Sequence, residues 1–225
     1  MGRSLIAAIV GVLQSAAAAA DDAVMSCRPG ATITLALALS LGVLAPDSVA
    51  GAAGSSRGAV PPDGVHVDVG DFYFSPATPT VGRGKTVVFD FVGDVTHTAT
   101  DGSGLGLFDS GNVPPGGPST SFTYVAAGVY AFVCTPHTGM GGRVSVPMRA
   151  APGSGGRNTT FTLVWASSAA SGDHVYDVQI HRPGRSWVSW RRGVTIRRDT
   201  FDPLKRGHHR FRARMRDVAL DEASR

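Results

Sequence analysis

The chain is expected to be all-β: a Greek-key β-sandwich or barrel followed by a second β-sandwich. Three observations carry that expectation. Apolar and polar residues alternate with a period of two over short runs such as Val65-His66-Val67-Asp68-Val69, the pattern of half-buried strands. Glycine and proline, 29 and 14 of 225 residues, punctuate the chain at the short intervals of a sandwich. Beyond Val65 no run has the repeat of an amphipathic helix. Hydrophobic residues make up 43% and charged residues 17%, which suits a buried core and excludes a disordered chain.

Residues 1–50 read as a targeting region. Two apolar stretches, Ser4 to Ala20 and Ala31 to Ala45, each fall short of the roughly 18 to 20 apolar residues of a membrane span and each suit the centre of a signal peptide. Arg28 precedes the second, and Ser48-Val49-Ala50 offers small residues for cleavage. Two export signals in series make little sense, so synthesis is expected to begin at Met25. The competing reading is an uncleaved pair acting as an anchor. Lipid attachment at Cys27 is disfavoured, because Met25 stands where a small residue belongs. In each case the protein is expected to be exported, secreted or held at the cell envelope.

Gly51 to Gly64 is a flexible linker, with Gly-Ser-Ser and Pro-Pro. The first β unit then covers residues 65–149. Its strands are expected at Val65 to Val69, Phe72 to Phe74, Thr78 to Val81, Lys85 to Phe91, Thr120 to Tyr124, Gly128 to Cys134 and Gly142 to Val146.

The chemistry concentrates in Cys134-Thr135-Pro136-His137-Thr138-Gly139-Met140, with His97 supplied from a distant segment. A thiolate, two imidazoles and a thioether form the donor set of an electron-transfer copper site, soft sulfur for Cu(I) and imidazole for both oxidation states. The bland alternatives are a buried small hydrophobe for Cys134 and a core or surface histidine for the others. Cys27 falls in the targeting region, so Cys134 would be an unpaired thiol in an exported protein, which points to a liganding or reactive role. A Cys–His nucleophile fits less well, since His137 follows only three residues later with Met140 beyond it. His66, His174, His181, His208 and His209 have no Cys or Met beside them and are expected to be bystanders.

The C-x2-H-x2-M spacing resembles the cupredoxin (blue copper) family, plastocyanin/amicyanin-like, in its short-loop form. The resemblance covers Val65 to Pro147 and includes Phe72-x-Phe74-x-Pro76, Phe108-Asp109-Ser110-Gly111 and Gly128-x-Tyr130-x-Phe132-x-Cys134. It implies one copper per chain, cycling between Cu(I) and Cu(II), with His97, Cys134 and His137 in the plane and Met140 as the axial ligand. His137, between Pro136 and Gly139 on a loop joining two strands, is expected to reach the surface, and His97, at a strand end, to be more enclosed. One departure is Thr98, where many members have Asn tying two loops together.

Ala150 to Arg157 reads as a Gly/Ser-rich linker, and residues 158–225 resemble a fibronectin type III domain. Thr159 to Trp165, Tyr176 to Ile180, Trp187 to Trp190, Gly193 to Ile196 and His209 to Arg216 are its expected strands, with Trp165 in the core. His209 stands in place of the usual corner tyrosine of such an immunoglobulin-like sandwich, and the chain stops about where the last strand should begin, so that strand is expected to be either absent or cut off by truncation.

From Asp63 to Arg149 four basic residues meet seven acidic ones; from Asn158 onward thirteen meet seven. Alternate arginines on strands read as a solvated face, so nucleic acid is not an expected partner, while contact with an anionic cell envelope is. Without a His-x-His pair the chain lacks the further coppers of an oxidase and is not expected to be an enzyme. The expected function is single-electron transfer to a redox partner protein, by a monomer. The alternative is a copper carrier without redox turnover.

Overall fold

The computed structural model describes Ala23–Ser26 and residues 64–220 and 222–225, and these residues are strand and loop throughout. Strand β1 is Ala23–Ser26, and the first unit follows as β2 Val65–Gly70, β3 Tyr73–Ser75, β4 Lys85–Phe91, β5 Thr100–Asp101, β6 Thr120–Tyr124, β7 Gly128–Val133 and β8 Gly141–Val146. The second unit holds β9 Arg149–Ala151, β10 Phe161–Val164, β11 His174–His181, β12 Trp187–Val194, β13 Arg198–Phe201, β14 His208–Asp217 and β15 Glu222–Ala223.

In the first unit, one sheet has the order β3-β2-β4-β6 and the other β5-β7-β8. Strands β2 and β4 run parallel with Val67 opposite Phe89, and the other strand pairs are antiparallel. The period-two alternation turns Val67 and Val69 of β2, Val87 and Phe89 of β4, Tyr130 and Phe132 of β7 and Val144 of β8 inward. Phe132 meets the rings of Phe74 and Phe89 edge-on, with centroids 4.8 and 5.2 Å apart. Each such side chain stabilises the fold by about 1.5–3 kcal/mol.

In the second unit a three-stranded sheet, β13-β10-β9, accompanies a sheet ordered β1-β14-β11-β12, with β15 also on β14. Trp165 is fully buried and its indole N–H donates to the Ile196 carbonyl at 2.7 Å. Along β14, His209, Phe211 and Met215 are buried while Arg210 and Arg212 face out.

Several expectations are corrected. The linker expected at 150–157 begins inside a strand: Ala150 and Ala151 pair with Leu163 and Thr162, because the Gly/Ser character starts only after Pro152. Thr78 to Val81 contributes one bridge, Thr80 to Ser145. Phe72 precedes β3 in a turn. The two strands expected at 187–196 are a single β12, and its Gly193 N–H donates to the Asp177 carboxylate at 2.9 Å.

The expected gap at the last strand is filled from two directions. The outer edge of β14 pairs with β1 from His208 to Phe211 and with β15 at Arg216 and Asp217. An edge strand offers unpaired N–H and C=O groups, and both short segments satisfy them. Ala23–Ser26, expected within the targeting region, is therefore a sheet strand here; the remainder of residues 1–50, Cys27 included, and 51–63 of the linker lie outside the described residues.

The two units also share backbone pairing. The Ala127 N–H donates to Trp165 O at 2.6 Å, Ser167 N–H to Val125 O at 2.8 Å, and Val129 and Arg225 exchange bonds of 2.7 and 3.0 Å.

Candidate metal centre

Cys134 continues the inward row of Tyr130 and Phe132 one step past the end of β7, and is 3% exposed. The chain then folds back at once. The His137 N–H donates to Cys134 O (3.3 Å), Met140 N–H to His137 O (3.1 Å), and Cys134 N–H to Met140 O (3.0 Å). Gly139 takes φ of 84°, the left-handed conformation that this return needs and a side chain resists. Cys134, His137 and Met140 thus come from one loop between β7 and β8, and Met140 is buried.

His97 comes from the other side of the sequence. Its backbone is fixed by two bonds with Val113, N–H to O at 3.0 Å and O from N–H at 2.8 Å. The side chain is 1% exposed. His97 Nδ1 lies 3.5 Å from Cys134 Sγ, His137 Nδ1 lies 3.3 Å from the same sulfur, and the two nitrogens are 3.1 Å apart. A nearly equilateral triangle of such edges has its centre roughly 2 Å from each corner, the length of a bond from a first-row metal ion to imidazole or thiolate. The donors therefore fit a single soft ion in their plane. Among the described residues, His97, Cys134 and His137 form the one such gathering of His, Cys, Asp or Glu. The other five histidines stay apart; His66 Nδ1, for example, meets Asp90 at 2.5 Å.

The residues around the donors hold them in place. The Thr98 N–H donates to Cys134 Sγ at 3.3 Å. The Thr98 hydroxyl accepts the Thr135 N–H at 2.8 Å and lies 3.2 Å from the Thr135 hydroxyl. Thr98 thus makes the tie between the two ligand loops expected of Asn.

Two functional neighbours escape the sequence patterns. Asp71 Oδ1 lies 3.2 Å from His97 Nε2 and accepts the N–H groups of Asp94 (2.9 Å) and Val95 (3.3 Å). The His97 contact, against a smaller opposing effect of burial and with help from those amides, holds the Asp71 carboxyl below its ordinary range. A carboxylate on Nε2 places the ring proton there and leaves Nδ1 free to ligate. Phe72, with φ of 65° and 68% exposed, presents its ring to His137 edge-on at 4.8 Å. Positive φ is costly for an aromatic residue and marks a constrained position. The available signal is Gly70-Asp71, a turn dipeptide ahead of the aromatic run.

His137 is half-buried beside exposed Pro136, Thr138 and Gly139, whereas His97 is enclosed. Apolar Phe72, Tyr73, Val92 and Val95 are exposed on the segments that meet the two histidines.

Residues 63–147 match the family of copper binding proteins, plastocyanin/azurin family. Among solved structures, a novel purple cupredoxin from Nitrosopumilus maritimus is 21% identical, with 36% of this chain and 98% of that one covered and a TM-score of 0.34. The oxidised plastocyanin of Dryopteris crassirhizoma is 28% identical over 36% of this chain and 99% of that one, with a TM-score of 0.33. A mutant amicyanin in its reduced form is 25% identical over 40% of this chain and 89% of that one, with a TM-score of 0.35. No curated protein matches the chain. The cupredoxin family binds copper, and His97, Cys134, His137 and Met140 together are consistent with a single copper site.

Proposed function

We propose that residues 65–149 form a type 1 copper domain that transfers single electrons, in which His97, Cys134, His137 and Met140 would hold one copper ion. The observation that carries this is the triangle of Cys134 Sγ and the two Nδ1 atoms, with edges of 3.1 to 3.5 Å. Copper, when bound, supplies a one-electron couple; the chain supplies a rigid donor set. Asp71 orients His97, Thr98 steadies the thiolate and ties the loops, and Phe72 braces His137. A site held this firmly changes little when the charge on the metal changes, which favours fast exchange.

Electrons are proposed to leave through His137, where the apolar surface of Phe72, Tyr73, Val92 and Val95 suits brief docking of a redox partner protein. A carrier that hands over its metal would need its ligands within reach of an acceptor, and Cys134 and Met140 are both buried. The reading is of an electron carrier rather than an enzyme, exported and monomeric. The second unit is read as a fibronectin type III-like module, supported by its three- and five-stranded sheets and central Trp165. It is a spacer or envelope-facing domain.

Titration with Cu(II) tests the proposal. One equivalent should give intense visible thiolate-to-copper absorption, and Met140→Leu should keep the colour while raising the reduction potential, since a weak donor to Cu(II) is removed. A colourless Cu(II) adduct of the intact chain contradicts it.

A further inference from the structure

A second site lies away from the copper ligands, in a cavity of about 640 Å³ between β7–β8 and the sheet of β11, β12 and β14. Its wall carries Arg143 of β8, Arg192 of β12, Arg212 and Arg214 of β14, and Arg225, against one side-chain carboxylate, Asp177. Arg212 and Arg214 are two residues apart on one strand and so face the same way.

Asp177 cannot neutralise this group. Its Oδ2 accepts Arg214 (Nη2 at 3.2 Å) and Arg216 (Nε at 3.2 Å), and its Oδ1 accepts the Gly193 N–H. Arg212 donates Nε to Gln179 Oε1 at 2.8 Å and covers the Trp187 ring, and neither partner carries charge. Arg143 and Arg192 make no ion pair among the described residues. Arg143, Arg192 and Arg212 thus border one concave space, all three exposed and without a carboxylate partner among the described residues. Val146, Met148, Ala213, Ser145 and Ser189 also line it.

We infer that this cavity binds a small organic anion carrying two or more phosphate or carboxylate groups. Guanidinium forks match the paired oxygens of both groups, and arginines on separate strands around one space suit an anion with more than one charged centre. The volume falls in the range of roughly 300–1,000 Å³ usual for small-molecule sites, and a concave space admits a compact ligand rather than a flat anionic surface. The inference is independent of the copper reading. An anion seated there would touch Arg143 of the first unit and Arg192 of the second, tying the two together.

Isothermal titration of the full chain with pyrophosphate, and separately with citrate, tests it at physiological salt. Saturable one-to-one binding of either probe is expected, and the probe that binds more tightly identifies phosphate or carboxylate as the preferred group. The double variant R143A/R192A should weaken binding by about tenfold or more, because two charge-assisted contacts are lost. R143K/R192K should fall between, keeping charge without the fork. R185A/R206A removes equal charge outside the cavity and should bind like the parent. Absence of saturable binding, an unaffected R143A/R192A, or an equal loss in R185A/R206A overturns the inference.

Discussion

The two units differ in where they bury polar groups. In the first, the buried polar residues are His97 and Thr98, neighbours in sequence and both at the metal centre. In the second they are Asp177, His209, Asp217 and Ser224, dispersed along β11, β14 and the end of the chain. The second group has local structural work: Asp177 holds Gly193 and two arginines, Asp217 accepts the N–H groups of Ala219 and Leu220, and Ser224 bonds Met215. Burying a polar group is costly unless it is satisfied. Where such groups gather around unclaimed donor atoms they mark a site; where each closes a turn or an edge they mark architecture.

The largest test of this contrast is Cys134→Ser. Serine can still accept the Thr98 N–H, so the fold should persist, while the visible thiolate absorption with Cu(II) should vanish completely because a neutral hydroxyl cannot replace the thiolate. Colour that survives in this variant would place the sulfur outside the site. Next comes Asp71→Ala, which removes the partner of His97 Nε2. Copper affinity, measured by competition with a chelator, should fall about 10- to 100-fold with the fold retained.

In the second unit, Asp177→Ala should act on stability rather than on the copper site. It leaves Arg214 and Arg216 without their carboxylate and Gly193 without its acceptor, a loss of about 2 kcal/mol in chemical denaturation once the half-exposure of Arg214 is allowed for. The copper spectrum should keep its shape. The smallest effect belongs to His209, packed against Phe201 and bonded to the Gly207 carbonyl at 3.2 Å. Burial holds its pKa below the ordinary 6.5, partly offset by that carbonyl and reinforced by Arg182. The folded state thus favours neutral imidazole. Its contribution is full above 6.5 and is lost as pH falls toward and through the lowered value. His209→Phe should flatten the dependence of stability on pH in that acidic window, as thermal melts would record.

These contrasts also explain what can be read from the chain alone. Strand β7 is legible because Gly128, Tyr130 and Phe132 alternate with less buried residues in an unbroken period of two, and Cys134 merely extends that row. The ligand loop is legible because its donors are three residues apart, and Thr98 because it neighbours a ligand. Asp71 is not, since it reaches His97 across 26 positions, and no local pattern encodes a contact of that span. Phe72 is hidden for another reason: an aromatic between Asp71 and Tyr73 looks like strand, and its positive φ is set by tertiary contact. The pairing of Ala23–Ser26 with β14 is likewise long-range, invisible beside the apolar stretches that flank it. Ala150 and Ala151 read as linker because alanine is neutral to both fates, and only the register with β10 decides between them.

X-ray absorption at the copper edge of the full chain loaded with one equivalent of metal shows whether Cys134 and the two histidines hold it. One sulfur scatterer and two imidazole nitrogens are expected, with the sulfur lost in Cys134→Ser and one imidazole lost in His97→Ala. A shell of nitrogen and oxygen alone, or a sulfur signal unchanged by Cys134→Ser, would contradict it.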